Sequence, residues 1–464
     1  MSKPKTRVLG TFTLAMITLA AIVSLRNLSL IAGLGISAVF FVCIAGLVFF
    51  LPTAFVVAEL AAAWPRPGGC YVWVDEAFGK PLAFFTLWSS WMASVAWFPT
   101  ILIFTAAMLA HMLNPLFPQL ELSQEFILLS MLVTLWGATL VNFFGIEFSG
   151  FISACGVIAG TLIPGVLIIS LGLWWVGSGH ASVITLSVPN LIPNVNIDNL
   201  TLFAGVLLSL AGIELAAFHV REAKDPQHSY PRALLLASAA ILLIYILGTL
   251  AIAVVVSPEE LSLASGLIQA FAVFFEHVGI TWIIPLLAAL ILLGALACVN
   301  AWVAGPAKGM LVVAEDGFLP PWLHKVNRKG VPTSLLLIQA IVVSILSILF
   351  IYMNSNTSIW ILTALSSQFT CLMYVIIFCA AIKLRRKQPH TPRPFKVSAL
   401  WFVASCGIIA CVFSFAIVYV PHSQLVSIQN SLYNVLLFSI FVLLLLPTLL
   451  LVKYRGRSRR KTAK

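Results

Sequence analysis

A chain of 464 residues that is 61% apolar and only 9% charged cannot cover a water-facing surface, because ordinary soluble domains carry roughly 25% charged residues. The apolar surplus must face lipid, so the expected fold class is an all-α integral membrane protein. The net charge of +11 comes from cations dispersed among short loops rather than gathered into a patch, which is a signal of membrane orientation and gives no reason to expect a nucleic acid partner.

Lys3, Lys5 and Arg7 precede an apolar stretch that starts near Gly10. It runs too long for a signal peptide and reads as a first span, not a cleaved leader. A helical span needs about 20 apolar residues. Breaks marked by polar residues, Pro or Gly then divide the chain into twelve spans: 10–33, 37–62, 81–113, 126–146, 151–177, 199–219, 231–256, 281–313, 333–352, 358–384, 398–420 and 431–453.

The loop charges agree with an even count. Arg66 and Lys80 follow span 2, Arg221, Lys224 and Arg232 follow span 6, and Lys308, Lys325, Arg328 and Lys329 surround the loop after span 8. Lys383 to Lys396 join spans 10 and 11, and Lys453 to Lys464 end the chain. The alternate loops hold Glu121, Glu125, Asp198, Glu259, Glu260 and Glu276 without a lysine or arginine. Both termini are therefore expected in the cytoplasm, with segment 257–280 outside. Pro258, followed by Glu259 and Glu260, predicts a short interfacial helix in that segment.

Charge inside a span is costly and marks function by default. Arg26 and Glu214 are the two ionisable residues well inside spans. Arg26 belongs to the polar cluster Ser24-Leu25-Arg26-Asn27-Leu28-Ser29 of span 1, and Glu214 follows Gly212 in span 6. The two spans lie five apart, so residues 10–177 and 199–384 read as two five-helix repeats of opposite topology. Residues 398–453 add two helices, between a cytoplasmic start (1–9) and a basic tail (454–464). Polar, glycine-containing interruptions at matching places in inverted repeats predict a midplane substrate site, where broken helices offer unpaired amides and carbonyls. An Arg26–Glu214 ion pair that staples the bundle is the structural alternative. Glu59 and Glu147, near the ends of spans 2 and 4, read as capping or loop-pairing residues. The eight cysteines include no CxxC and no cluster with metal spacing, so they read as small hydrophobes and no metal is expected. The eight histidines are scattered over span ends and loops, and no nucleophile elbow or paired-carboxylate arrangement suggests an enzyme.

Three blocks in order resemble the amino acid–polyamine–organocation (APC) superfamily. They are Ala58-Glu59-Leu60 with Pro67-Gly68-Gly69-Cys70-Tyr71-Val72-Trp73-Val74, Leu210-Ala211-Gly212-Ile213-Glu214 through Tyr230-Pro231-Arg232-Ala233, and Gly305-Pro306-Ala307-Lys308-Gly309-Met310 through Gly330-Val331-Pro332. The likeness is strongest to the bacterial glutamate/γ-aminobutyrate antiporters. It implies a leucine-transporter-like 5+5 inverted repeat with two extra helices, a place in the bacterial inner membrane, alternating access, exchange of one amino acid for another, and no cofactor. Carried over by position, the family's binding glutamate is Glu214 and one of its span 10 tyrosines is Tyr374. Arg26 stands where the acid-resistance antiporter has a tyrosine, Thr370 replaces a second tyrosine, and Cys298 replaces a glutamate of span 8. The expected substrate site comprises Arg26, Asn27, Ser29, Gly212, Glu214, Cys298, Thr370 and Tyr374, with amino acids, acidic ones among them, as cargo and the lipid bilayer as the other partner. A proton-coupled symporter and a non-transporting amino acid sensor are the alternatives.

Overall fold

A backbone in hydrocarbon has no water to bond, so each buried segment must satisfy its own amides and carbonyls, and a long apolar stretch becomes a helix. The computed structural model follows this rule over the residues it describes: 10–66, 68–120, 123–145, 156–185, 188–193, 196–215, 226–353, 355–421 and 430–462. Lys3, Lys5, Arg7, Glu121, Glu147, Cys155, His219, Arg221, Lys224 and His422 lie outside them, as do Pro67 and Glu222 to Asp225 of the family-like blocks.

In chain order the helices are α1 (Thr11–Ile22), α2 (Leu25–Ala32), α3 (Gly35–Ala63), α4 (Cys70–Phe78), α5 (Lys80–Leu113), α6 (Gln124–Phe143), α7 (Ile158–Gly177) and α8 (Ile197–Ser209). There follow α9 (Pro226–Ala253), α10 (Gly266–Val278), α11 (Ile284–Glu315), α12 (Thr333–Ile351), α13 (Ser355–Lys387), α14 (Leu400–Ile417) and α15 (Asn430–Thr462). Among the described residues, nine helices are long and apolar enough to cross a membrane. The other three expected spans fall short of that length: span 1 is broken into α1 and α2, span 6 stops as a helix at Ser209, and the continuous apolar part of α12, for span 9, is Thr333–Leu349. No strand occurs among the described residues.

Helix starts follow local chemistry. The Ser123 hydroxyl accepts the Phe126 N–H at 3.2 Å to cap α6, and Asn196 accepts the Asn199 N–H at 2.7 Å to cap α8. The interfacial helix begins later than Pro258 predicts. Residues 258–260 form a turn and α10 starts at Gly266. The amides of Ser262 and Leu263, which a helix would have employed, are taken by the side chains of Gln269 (3.0 Å) and Asn356 (3.1 Å).

Burial separates the centre from the lipid boundary. The apolar window of α5 is 83% buried, and that of α15 only 17%. Helix α5 packs against α11 and α13, α1 and α3 against α9, and α6 against α11 and α12. Where α7 crosses α11 the backbones touch: a Cβ on Gly160 would fall on Gly294 and on the Leu290 carbonyl.

One end of the bundle carries an interlocked set of charges. Glu76 of α4 pairs with Arg66 at 3.0 Å and accepts from Gln388 at 3.2 Å, while Asp316 receives the Tyr71 hydroxyl and the Lys80 ammonium. Glu59 accepts Arg385 Nε at 3.0 Å and also its Nη2, lies 3.2 Å from Arg393 Nε, and accepts the Val397 N–H at 2.8 Å. This loop-pairing role is the one read from its sequence position. At the opposite end, α10 packs over α2.

Candidate functional site

Two interruptions meet inside the bundle. Helix α1 ends at Ile22, Val23 and Ser24 are extended, and α2 resumes at Leu25. Helix α8 ends at Ser209; Gly212 then takes φ of 113°, open only to glycine at little cost, and residues 213–215 form a single tight turn. A Cβ on Gly212 would stand 3.8 Å from Ile22, so the breaks are neighbours. Each leaves helix-end carbonyls without intrahelical partners.

Arg26, in the first turn of α2, is 3% exposed. Its Nη2 donates to Asn27 Oδ1 at 2.7 Å, and its Nε has no hydrogen-bond partner. Among the described residues no carboxylate lies within 4.0 Å of this guanidinium. The Arg26–Glu214 staple is therefore not formed. Glu214 turns away because the backbone turn at Gly212 aims its carboxylate at α13, where Oε2 accepts the Tyr374 hydroxyl. The same hydroxyl accepts the Gly212 N–H at 2.8 Å. Phe49 packs edge-on to the Tyr374 ring with centroids 5.2 Å apart. Tyr374 thus holds the second break by its amide and its acid together.

The first break is held by Tyr245 of α9. Its hydroxyl lies 2.9 Å from the Ile22 carbonyl and 3.1 Å from the Ser209 carbonyl, and accepts from Asn27 Nδ2 at 3.2 Å and from the Ser24 N–H at 3.4 Å. Sequence reasoning missed this residue. Its one signal is a lone phenol in the apolar run Leu242-Leu243-Ile244-Tyr245-Ile246-Leu247, which must find a polar partner when buried.

Of the expected site residues, Arg26, Asn27, Gly212, Glu214 and Tyr374 gather at the breaks. Cys298 of α11 joins them through a cavity of about 10 Å³ shared with Ser24 and Leu25, room for one water at most. Thr370 is buried one turn before Tyr374 on the same face of α13. Ser29 does not face the breaks; it lies under α10, its hydroxyl 3.0 Å from where a Cβ on Gly266 would sit.

Interrupted helices meeting within a helical bundle, around a buried cation and a buried acid, define a class of multi-pass membrane protein built to handle a polar solute. The amino acid permease family matches residues 9–445, and the chain belongs to that family, part of the APC superfamily. It is similar to an uncharacterized transporter of Legionella pneumophila, 39% identical over 94% of each chain. A glutamate/gamma-aminobutyrate antiporter of Lactococcus lactis is 26% identical over 96% of this chain and 90% of its own length. A probable agmatine/putrescine antiporter of the same species is 25% identical over 79% of this chain and 78% of its own. The protein is a transporter and not an enzyme.

Proposed function

We propose that this permease is an amino acid antiporter of the glutamate/γ-aminobutyrate type, whose substrate binds between the two helix breaks by alternating access. One observation carries the reading: the Arg26 guanidinium is buried and, among the described residues, has no carboxylate beside it. Such a charge is costly in a membrane until an anion meets it, and its planar fork suits a carboxylate. Glu214, two residues beyond the second break, is the matching acid for a substrate ammonium. The segregation of lysine and arginine supports cytoplasmic termini, and the likeness to bacterial transporters supports the inner membrane. The five-plus-five repeat is the reading that the two matching breaks support.

A second reading, proton-coupled amino acid symport, is favoured by the Glu214 environment. Its carboxylate is buried and, among the described residues, meets no cation, so taking up a proton would remove an unpaired charge from the membrane interior. Counterflow in proteoliposomes separates the two. Uptake of labelled glutamate that requires an internal amino acid means antiport, and uptake driven by a pH gradient alone means symport. Neither kind of uptake sinks both readings.

A further inference from the structure

The Tyr245 hydroxyl has more neighbours than it can serve. A phenol owns one proton and two lone pairs. Both lone pairs are claimed, by the Ser24 N–H at 3.4 Å and by Asn27 Nδ2 at 3.2 Å. The single proton faces two acceptors, the carbonyl of Ile22 at 2.9 Å and that of Ser209 at 3.1 Å. These carbonyls belong to the last residues of α1 and α8, where helix geometry supplies no further N–H. Ile22 and Ser209 are 3% and 4% exposed, so bulk water does not make up the deficit. At any instant one of the two carbonyls is short of a donor, which costs free energy in a dry interior.

The geometry points to Tyr245 as a positioning residue whose one proton is shared between the two break carbonyls, leaving the other for the ammonium group of a zwitterionic substrate. The inference rests on the breaks being the substrate site. An ammonium brings three donors and supplies what the phenol cannot. The opposite pole of the substrate reaches the same hydroxyl by a chain of bonds, Arg26 Nη2 to Asn27 Oδ1 and Asn27 Nδ2 to Tyr245. A carboxylate that draws Arg26 away from Asn27 loosens the donor that steadies the phenol. Tyr245 therefore registers both poles of the ligand and ties α1, α2 and α8 into one response.

Tyr245→Phe removes the proton and keeps the ring. Both carbonyls are then bare in the empty site, so an ammonium relieves more on binding and leaves more slowly. With radiolabelled L-glutamate and γ-aminobutyrate as probes in proteoliposomes, KM and Vmax of exchange should both fall, roughly two- to tenfold, the worth of one hydrogen bond. Encoding 3-fluorotyrosine at position 245 keeps the shape and makes a stronger donor, so KM should rise. A merely structural phenol predicts no such pair of opposite shifts. The proposal is overturned by a KM that rises or stays fixed in Tyr245→Phe, or that fails to rise with 3-fluorotyrosine. If the phenylalanine variant does not fold, the fluorotyrosine result decides alone. Wild type that exchanges neither probe, nor any of a panel of amino acids, overturns the substrate reading and this proposal with it. Exchange in wild type with KM unaltered in both variants overturns this proposal alone.

Discussion

Replacing Glu59 by glutamine tests the charge arithmetic of the basic end. The Glu59 carboxylate is 4% exposed and takes Arg385 through both Nε and Nη2, Arg393 at 3.2 Å and the Val397 amide at 2.8 Å. Arg393, with 5% of its side chain exposed, also donates to the carbonyls of Thr391, Leu384 and Gln388 at 3.0 to 3.1 Å. Burial pulls this guanidinium below its ordinary range, Glu59 opposes that shift, and Arg385 adds to it. Two cations thus depend on one anion. Glutamine leaves them facing each other and points an amide N–H at a donor. Removing one partner of a buried pair costs about 3–5 kcal/mol. Arg393→Gln instead leaves Glu59 held bidentately by Arg385, so its cost falls to about 1–3 kcal/mol. Melting of the purified protein in detergent, followed by tryptophan fluorescence, should rank the variants wild type, Arg393→Gln, Glu59→Gln in falling stability. A Glu59→Gln variant that melts with wild type, or an Arg393→Gln variant that melts lower still, refutes the reasoning.

Glu214→Gln should reach the membrane and lose exchange; wild-type rates across the working pH range would make Glu214 a structural residue only. Arg26→Ala should weaken competition by glutamate and aspartate roughly tenfold or more, the scale of a charge-assisted hydrogen bond, with neutral amino acids much less affected. Arg26→Lys, lacking the planar fork, should restore that competition in part. Equal weakening of both classes would mean that Arg26 does not read the side chain. A cysteine placed at Ser262 in the acidic loop before α10 should react in intact cells with a thiol reagent that cannot cross the membrane. Labelling of a tail cysteine instead would invert the topology.

Of the twelve spans that hydropathy marks, nine are continuous apolar helices of spanning length among the described residues, because a long apolar run in lipid has one backbone solution. The breaks were also legible, since Ser24, Arg26 and Asn27 in one span and Gly212 with Glu214 in another violate the apolar pattern. Their partners were not. Whether Glu214 meets Arg26 or Tyr374 depends on the turn at Gly212 and on the approach of α13, a residue 160 positions away, and no local pattern encodes that. Tyr245 was invisible for a related reason: its role comes from the carbonyls of two other helices, not from its own neighbours in sequence. Ser29 looked equivalent to Asn27 in the polar cluster, but two residues of helix turn it toward a different face. The helix start predicted at Pro258 failed because distant side chains, Gln269 and Asn356, captured the amides it required.

The backbone contact between Gly160 and Gly294 limits how this protein can be engineered. Exchanging glycine for alanine in helices is a common route to stabler variants, because it restricts the unfolded chain. Here a single methyl has nowhere to go: at Gly160 it would overlap the main chain of α11, and at Gly294 the main chain of Gly160. In both cases the nearest atoms belong to main chain, which cannot rotate aside as a side chain can. Gly172 against the Cα and Cβ of Ala251 imposes the same veto at a further crossing, and at Gly407 the Phe378 ring would have to move. Mutational tolerance in this bundle is thus set by the distance between helix axes, and a stabilisation campaign should begin at Gly137 and Gly177, where a Cβ meets nothing within 4 Å.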